Sequence, residues 1–203
     1  KPDYINKSEK VAWDLHSGVL WISFAGTDDF EDIVEDLHIA KKTINLGDHT
    51  IKVHSGFWKK WLQVRARVLG LIHARQPKFV QFVGHSAGGA MAICAYLDLP
   101  YHLPKAYGVN TIAYNPITFG CPKVIADTES NTLHRYILRP YLFQNQGDPI
   151  PDMPRAYMGY KHWGIKHIAR MAWYKRIYVI RSFTGSHNRT TYKRNWRSKK
   201  DIL

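Results

Sequence analysis

The sequence has little cysteine, few acidic residues and no long apolar run. Its 203 residues include two cysteines, Cys94 and Cys121, which are too few for a disulfide scaffold, and we expect two small buried thiols. The longest nearly apolar stretch, from Ala87 to Leu97, is about half of the ~20 residues that a membrane-spanning helix needs. The N-terminus lacks the apolar segment of a signal peptide. These absences predict a soluble protein stabilised by its core.

Positive charge is in excess, and it is unevenly placed. The net charge is +13, and the segment 160–203 holds twelve Lys and Arg against one acid, so that 12 − 1 = +11 lies there and +2 in the rest. Six of the sixteen acids crowd between residues 28 and 36. A charged stretch is often only a solvated surface. The alternative is a surface for an anionic partner, either phospholipid or nucleic acid.

Strand-like and helix-like patterns alternate along the chain. Helices are predicted over 28–37, from Ser55 to Gln76 and from the turn after Val83 to Leu97. Strands are predicted over Val19–Phe24, which we expect to be buried on both faces, and over Thr50–Val53, Phe79–Val83, Thr111–Phe119 and Tyr136–Gln144. This alternation predicts a mostly parallel sheet flanked by helices, in one compact domain over residues 1–203. Ligands of such sheets lie beyond the carboxyl ends of the strands.

One motif at such a position carries chemistry. Gly84, His85, Ser86, Ala87 and Gly88 match G-x-S-x-G between an apolar strand and an apolar helix, as in a nucleophile elbow. The glycines allow close packing around a strained serine, and the following helix favours negative charge at its N-terminus. We therefore predict that Ser86 is a nucleophile in an α/β-hydrolase fold.

A serine nucleophile needs a histidine base, which in turn needs an orienting carboxylate. In α/β-hydrolases the chain order is Ser, then the acid, then His. This order leaves five candidate bases open, namely His102, His134, His162, His167 and His187.

The chain also resembles the class 3 (triacylglycerol) lipase family in several blocks that occur in the family's order. The family's F-R-G-T and G-H-S-L-G-G-A blocks appear with Ala25 in place of Arg and Ala87 in place of Leu. The corresponding blocks of this chain are Phe24–Thr27, Val53–Phe57, Gly84–Ala90, Thr118–Val124, Asp148–Pro154, Tyr160–Gly164 and Ser186–Tyr192.

The resemblance implies that Asp148 is the acid and His187 the base. It also implies that the backbone N–H groups of Thr27 and Ala87 form the oxyanion hole. The reaction so implied requires no metal or organic cofactor. Asp152 is the rival acid, although its position is typical of loop capping. His162 is the rival base, and the alternative is a hydrogen-bonded loop histidine.

In this family the segment after the first of these blocks often forms a lid. Here it is amphipathic, with one apolar face formed by Phe30, Ile33, Val34 and Leu37. The other interpretation is that this face is permanently packed.

The Lys and Arg residues around His187 are interleaved with aromatic residues, a composition that suits binding to an anionic membrane surface. The proposed contact residues are Arg181, Arg189, Lys193, Arg194 and Arg197. We therefore expect a lipase or phospholipase that acts on lipid esters in peripheral contact with an anionic membrane. One alternative is a soluble carboxylesterase of short-chain or aromatic esters. Another is a module that binds nucleic acid or another anionic polymer, although no nucleic-acid motif is present.

Overall fold

The main sheet contains eight strands and is parallel over most of its width. The computed structural model describes residues 3–6, 11–26, 40–46, 49–107, 111–126 and 139–169. The eight strands are β1 (Asp3–Asn6), β2 (Val11–His16), β3 (Val19–Phe24), β6 (Phe79–His85), β7 (Ile112–Ala113), β8 (Ile117–Phe119), β9 (Tyr141–Asn145) and β10 (Ile165–Ala169). Their order is β1-β2-β3-β6-β8-β9-β10, with β7 also paired to β6. Every pairing from β3 to β10 is parallel, whereas β1, β2 and β3 are joined antiparallel.

Two long helices pack on one face of this sheet. These helices are α1 (Ser55–Arg75) and α2 (Ala87–Tyr107). The side chains of Phe24 and Phe82 point to that face and lie 6.1 Å apart, and Trp61 of α1 meets Phe24 edge-on at 6.2 Å. The expectation that β3 is buried on both faces is wrong. Its burial alternates, and Trp21 is 39% exposed because it lies on the face opposite the two helices.

The ends of the two helices differ in how well the sequence predicts them. Helix α1 ends at Arg75, before Gln76 in a left-handed conformation, as the Gln76-Pro77 pair indicates. Helix α2 continues to Tyr107 through two prolines, so the expected end at Leu97 is wrong. Asp98, fully buried, binds α2 to α1 because it accepts a hydrogen bond from Trp61 Nε1 at 3.1 Å and lies 3.4 Å from Arg65 Nε.

A small hairpin connects to the loops at the carboxyl end of the main sheet. It consists of β4 (Lys41–Leu46) and β5 (His49–His54), paired antiparallel. Val53 forms an isolated bridge with Ile125, and Ile125 forms another with Lys161. The loops after β8 and β9 are thereby joined to the hairpin that leads into α1.

Two further predictions concern side-chain chemistry and membranes. Cys94 and Cys121 are free and buried, as expected, and burial raises the pKa of each thiol. Of the helices within the described ranges, none is long and apolar enough to cross a membrane.

Candidate active site

Ser86 lies at the turn between β6 and α2, where the sequence predicts the nucleophile. Its φ angle is +56°, a left-handed conformation that costs about 1 kcal/mol for a residue with a side chain. The turn is held because the Ser86 N–H donates to the Phe119 carbonyl of β8 at 2.9 Å. Ser86 is 0% exposed, and within the described residues its Oγ has no hydrogen-bond partner. A strained backbone therefore holds the Ser86 hydroxyl in the interior.

Glycines make this turn possible. A Cβ at Gly84 would collide with the backbone of Gly88, and a Cβ at Gly88 would collide with the backbone of Phe24 and Ala25. No side chain fits at either position, so the two glycines allow α2 to begin directly against the ends of β3 and β6. His85, between them in the motif, is half-buried at the end of β6.

The loop after β3 approaches Ser86 closely. A Cβ at Gly26 would lie 2.6 Å from the His85 carbonyl oxygen and 2.9 Å from Ser86 Cβ. Gly26 directly precedes Thr27, the predicted oxyanion donor, which itself lies outside the described residues. The second predicted donor, Ala87, is the first residue of α2. The first N–H groups of a helix lack acceptors within it, so the Ala87 N–H can serve an anion.

Asp148 lies in the loop after β9, two strands away from β6 in the sheet order. It is 6% exposed, its N–H donates to the Asn145 carbonyl at 3.1 Å, and its Oδ1 accepts from the Ile150 N–H at 3.0 Å. The rival acid, Asp152, is exposed at the end of a 3-10 helix. Burial and orientation by the backbone therefore favour Asp148 as the acid.

His162, the rival base, is engaged elsewhere. Its Nε2 lies 2.5 Å from the Pro151 carbonyl, to which it donates, and 3.5 Å from Gln144 Nε2. Burial, together with the nearby charges of Lys166 and Lys123, lowers its pKa to about 4, although the bond to the Pro151 carbonyl opposes this shift. This geometry fits the loop-histidine interpretation, since the donating nitrogen is occupied by a backbone carbonyl.

Of the other candidate bases, His167 is the one whose side chain lies within the described residues. It lies in β10 and stacks on Phe143 of β9 with ring centroids 4.8 Å apart. His187, which the family resemblance favours, lies outside the described residues, as do His134 and the side chain of His102.

The predicted lid and membrane-contact residues also lie outside the described ranges, and they stay predictions. One residue that the sequence reasoning did not single out is Lys123, whose side chain contacts the loop of Asp148. Its position in the Thr118–Val124 block indicated a part of the chain shared with the family. The burial of its side chain was not predictable from that block.

Known proteins resemble this chain in sequence and structure. The family profile described as Lipase (class 3) matches residues 21–158. The secreted mono- and diacylglycerol lipase 1 of Fusarium solani is 27% identical over 157 residues, which cover 75% of this chain and 44% of that protein. The chain thus spans about half the length of such a relative.

Two solved structures show the same fold. The mono- and diacylglycerol lipase of Aspergillus oryzae aligns with a TM-score of 0.60 and 27% identity, covering 77% of this chain and 56% of that one. The triacylglyceride lipase of Rhizomucor miehei aligns with a TM-score of 0.62 and 25% identity, covering 78% and 60%. The main sheet is thus that of an α/β-hydrolase, and the chain belongs to the class 3 lipase family.

Proposed function

We propose that this chain is a serine ester hydrolase that acts on lipid esters. The observation that carries the proposal is the left-handed, fully buried Ser86, held between β6 and α2 by glycines that accept no side chain. A backbone strain of this kind persists only where the surrounding structure enforces it, and such strain clusters at functional sites. Buried Asp148 in the loop after β9 adds the carboxylate that a serine–histidine pair needs.

The proposed reaction is a two-step acyl transfer. His187, oriented by Asp148, takes the proton of Ser86 as Oγ attacks the ester carbonyl carbon. The N–H groups of Thr27 and Ala87 stabilise the oxyanion, an effect worth several kcal/mol in this chemistry. His187 then protonates the leaving alcohol. In the second step His187 takes a proton from a water molecule, which attacks the acyl-enzyme carbonyl and releases the carboxylic acid product and free Ser86.

The lipid substrate is supported by the relatives. The Fusarium solani protein is a mono- and diacylglycerol lipase, and the Rhizomucor miehei protein is a triacylglyceride lipase. By extension we propose acylglycerols or phospholipids as the ester class of this chain.

Two surface features complete the proposal. Because Ser86 is fully buried, an ester reaches Oγ only after a covering segment has moved. We assign that movement to the amphipathic residues Phe30, Ile33, Val34 and Leu37. The basic residues of segment 160–203 hold the enzyme on an anionic lipid surface.

The test compares the wild type with Ser86→Ala and with Ser23→Ala, a control at an exposed serine of β3. The substrates are p-nitrophenyl esters from acetate to palmitate and vesicles of anionic or zwitterionic phospholipid. We expect Ser86→Ala to lose about 10⁴-fold or more in kcat, because residual catalysis without a nucleophile is small, and Ser23→Ala to keep its activity. A fluorophosphonate should label the wild type and the Ser23 variant but not the Ser86 variant.

The outcome also separates the alternatives. A preference for long chains and for anionic vesicles supports the lipid proposal, whereas activity on short esters alone supports a soluble carboxylesterase. If wild type and Ser86→Ala are equally inert on every ester, with and without detergent, the proposed hydrolase is wrong. Salt-sensitive binding to an oligonucleotide would then favour the binding module.

A further inference from the structure

The loop that carries Asp148 is held at its far end by a buried lysine. We call residues 146–154 the acid loop. Lys123, in the segment after β8, donates from its backbone N–H to the Met153 carbonyl at 2.7 Å. Its Nζ donates to the carbonyls of Asp152 and Pro154, the latter at 3.1 Å. One residue therefore binds three consecutive carbonyls of the acid loop.

This lysine is buried to an unusual degree. Its exposed fraction is 9%, and lysines are almost never buried unless their charge is satisfied. Burial lowers the pKa of Lys123, while the nearby Asp152 raises it. Two carbonyl acceptors at Nζ favour the ammonium form, whose hydrogen bonds are charge-assisted and stronger than neutral ones.

Asp148 lies between two fixed points of the acid loop. On one side, its N–H is bound to Asn145 at the end of β9. On the other side, its Oδ1 accepts from the N–H of Ile150, which is 0% exposed and starts the 3-10 turn that leads to the Lys123 contacts. The backbone of the acid loop therefore constrains the direction of the carboxylate. A shift at Asp152 to Pro154 reaches Asp148 through Ile150.

We infer that Lys123 is a positioning residue that fixes the Asp148 carboxylate for the acyl transfer. This inference rests on the function proposed above. Lys123 does not touch the reacting atoms; it holds the loop from which the acid projects. A displacement of about 1 Å in such a group costs up to about 100-fold in rate. His162 still holds Pro151 of the same loop, so loss of Lys123 should loosen the loop without releasing it.

The experiment uses the full chain and three single-substitution variants of Lys123. Lys123→Met keeps the length of the side chain and removes its donors, Lys123→Gln keeps an amide donor, and Lys123→Arg keeps the charge. Lys52→Met is the matched control, because Lys52 is an exposed lysine of β5. For each variant kcat and KM are measured on p-nitrophenyl butyrate as a function of pH, together with the melting temperature.

We expect Lys123→Met to lower kcat by about 10- to 100-fold with KM changed by less than about twofold, since the loss concerns the chemical step. The acid limb of its kcat/KM profile should move to lower pH, because a displaced carboxylate stabilises the imidazolium of the base less. Lys123→Arg should recover most of kcat, Lys123→Gln should be intermediate, and Lys52→Met should match the wild type.

Two results would overturn the inference. One is a Lys123→Met enzyme with unchanged kcat and pH profile and only a lower melting temperature, which would make Lys123 purely structural. If the Met variant does not fold, the Gln variant decides: a kcat equal to that of the wild type contradicts positioning. A wild type that is inactive on every ester is a separate outcome, because it refutes the proposed hydrolase before any Lys123 variant is compared.

Discussion

Two glycines of the long helices, Gly88 and Gly70, differ in the space around them. A Cβ at Gly88 in α2 would meet the backbone of Phe24 and Ala25, whereas a Cβ at Gly70 in α1 would meet no atom within 4 Å. Gly70 lies inside α1, whereas Gly88 is the second residue of α2, so helix propensity matters mainly at Gly70. The collisions at Gly88 come from the close approach of α2 to β3.

Alanine at these two positions should have opposite effects. Gly70→Ala should raise the free energy of unfolding by about 0.5–1 kcal/mol through helix propensity. Gly88→Ala should lower it by about 3 kcal/mol, because backbone atoms cannot yield as a flexible side chain can. Urea denaturation followed by circular dichroism measures both. Equal stabilities of the two variants would contradict the packing described here.

The sequence predicts single residues well where their role depends on neighbours in the chain. The turn at Ser86 follows from a strand, two glycines and a helix within a short segment. The burial of Lys123 instead depends on carbonyls at Asp152 and Pro154, which are brought to it by the pairing of β8 with β9. No local pattern contains that contact. The base and one oxyanion donor lie outside the described residues and stay predictions.

A partly buried histidine beside the acid loop makes the stability of this part of the fold depend on pH. His162 packs against it from the segment before β10, and burial lowers its pKa from 6.5 to about 4. Lys166 and Lys123, the charged groups that face it, also oppose its protonation, while the Pro151 carbonyl favours it. In the unfolded chain the same histidine takes up a proton near its ordinary pKa.

This difference predicts a loss of stability in acid. Between about pH 6.5 and pH 4 the unfolded chain binds more protons, so the free energy of unfolding falls as the pH is lowered, by at most about 1.4 kcal/mol per unit. His162→Gln should flatten this part of the profile, whereas His16→Gln, at an exposed position of β2, should not. Urea titrations at a series of pH values test this. An unchanged slope in the His162 variant would contradict the assignment.

Elements differ in how far the sequence predicts them. The bounds of β3 are those expected, since a continuous β-rich run ends at a glycine loop. The expected strand Thr111–Phe119 is instead split into β7 and β8, and the strands β1, β2, β4 and β10 were not predicted. Charged or polar residues interrupt each of these strands, and the strands depend on pairing partners. Such pairing overrides local propensity.

At the scale of the whole molecule, charge should govern where the proposed hydrolase acts. The segment 160–203 carries +11 of the total +13. Each basic residue near an anionic surface contributes about 1 kcal/mol of binding, and salt screens this attraction.

Neutralising three of these bases should weaken binding to anionic vesicles. Lys193→Gln, Arg194→Gln and Arg197→Gln together remove about 3 kcal/mol, or about 100-fold in affinity. A control with Lys59→Gln, Arg67→Gln and Lys78→Gln, which removes the same charge from exposed positions outside the segment, should bind almost as the wild type does. Vesicle sedimentation at low and high salt measures both. Equal losses in the two variants would assign the effect to net charge alone.

The left-handed backbone at Ser86 has a consequence for the evolution of this chain. Glycine adopts that conformation without strain, so replacement of Ser86 by glycine would relieve about 1 kcal/mol while removing the hydroxyl. Under the proposed function, natural selection for hydrolysis alone retains a side chain there. In a duplicated gene without that selection, Ser86→Gly would stabilise the fold and abolish the proposed activity. The glycine-lined turn would then remain in an inactive homologue.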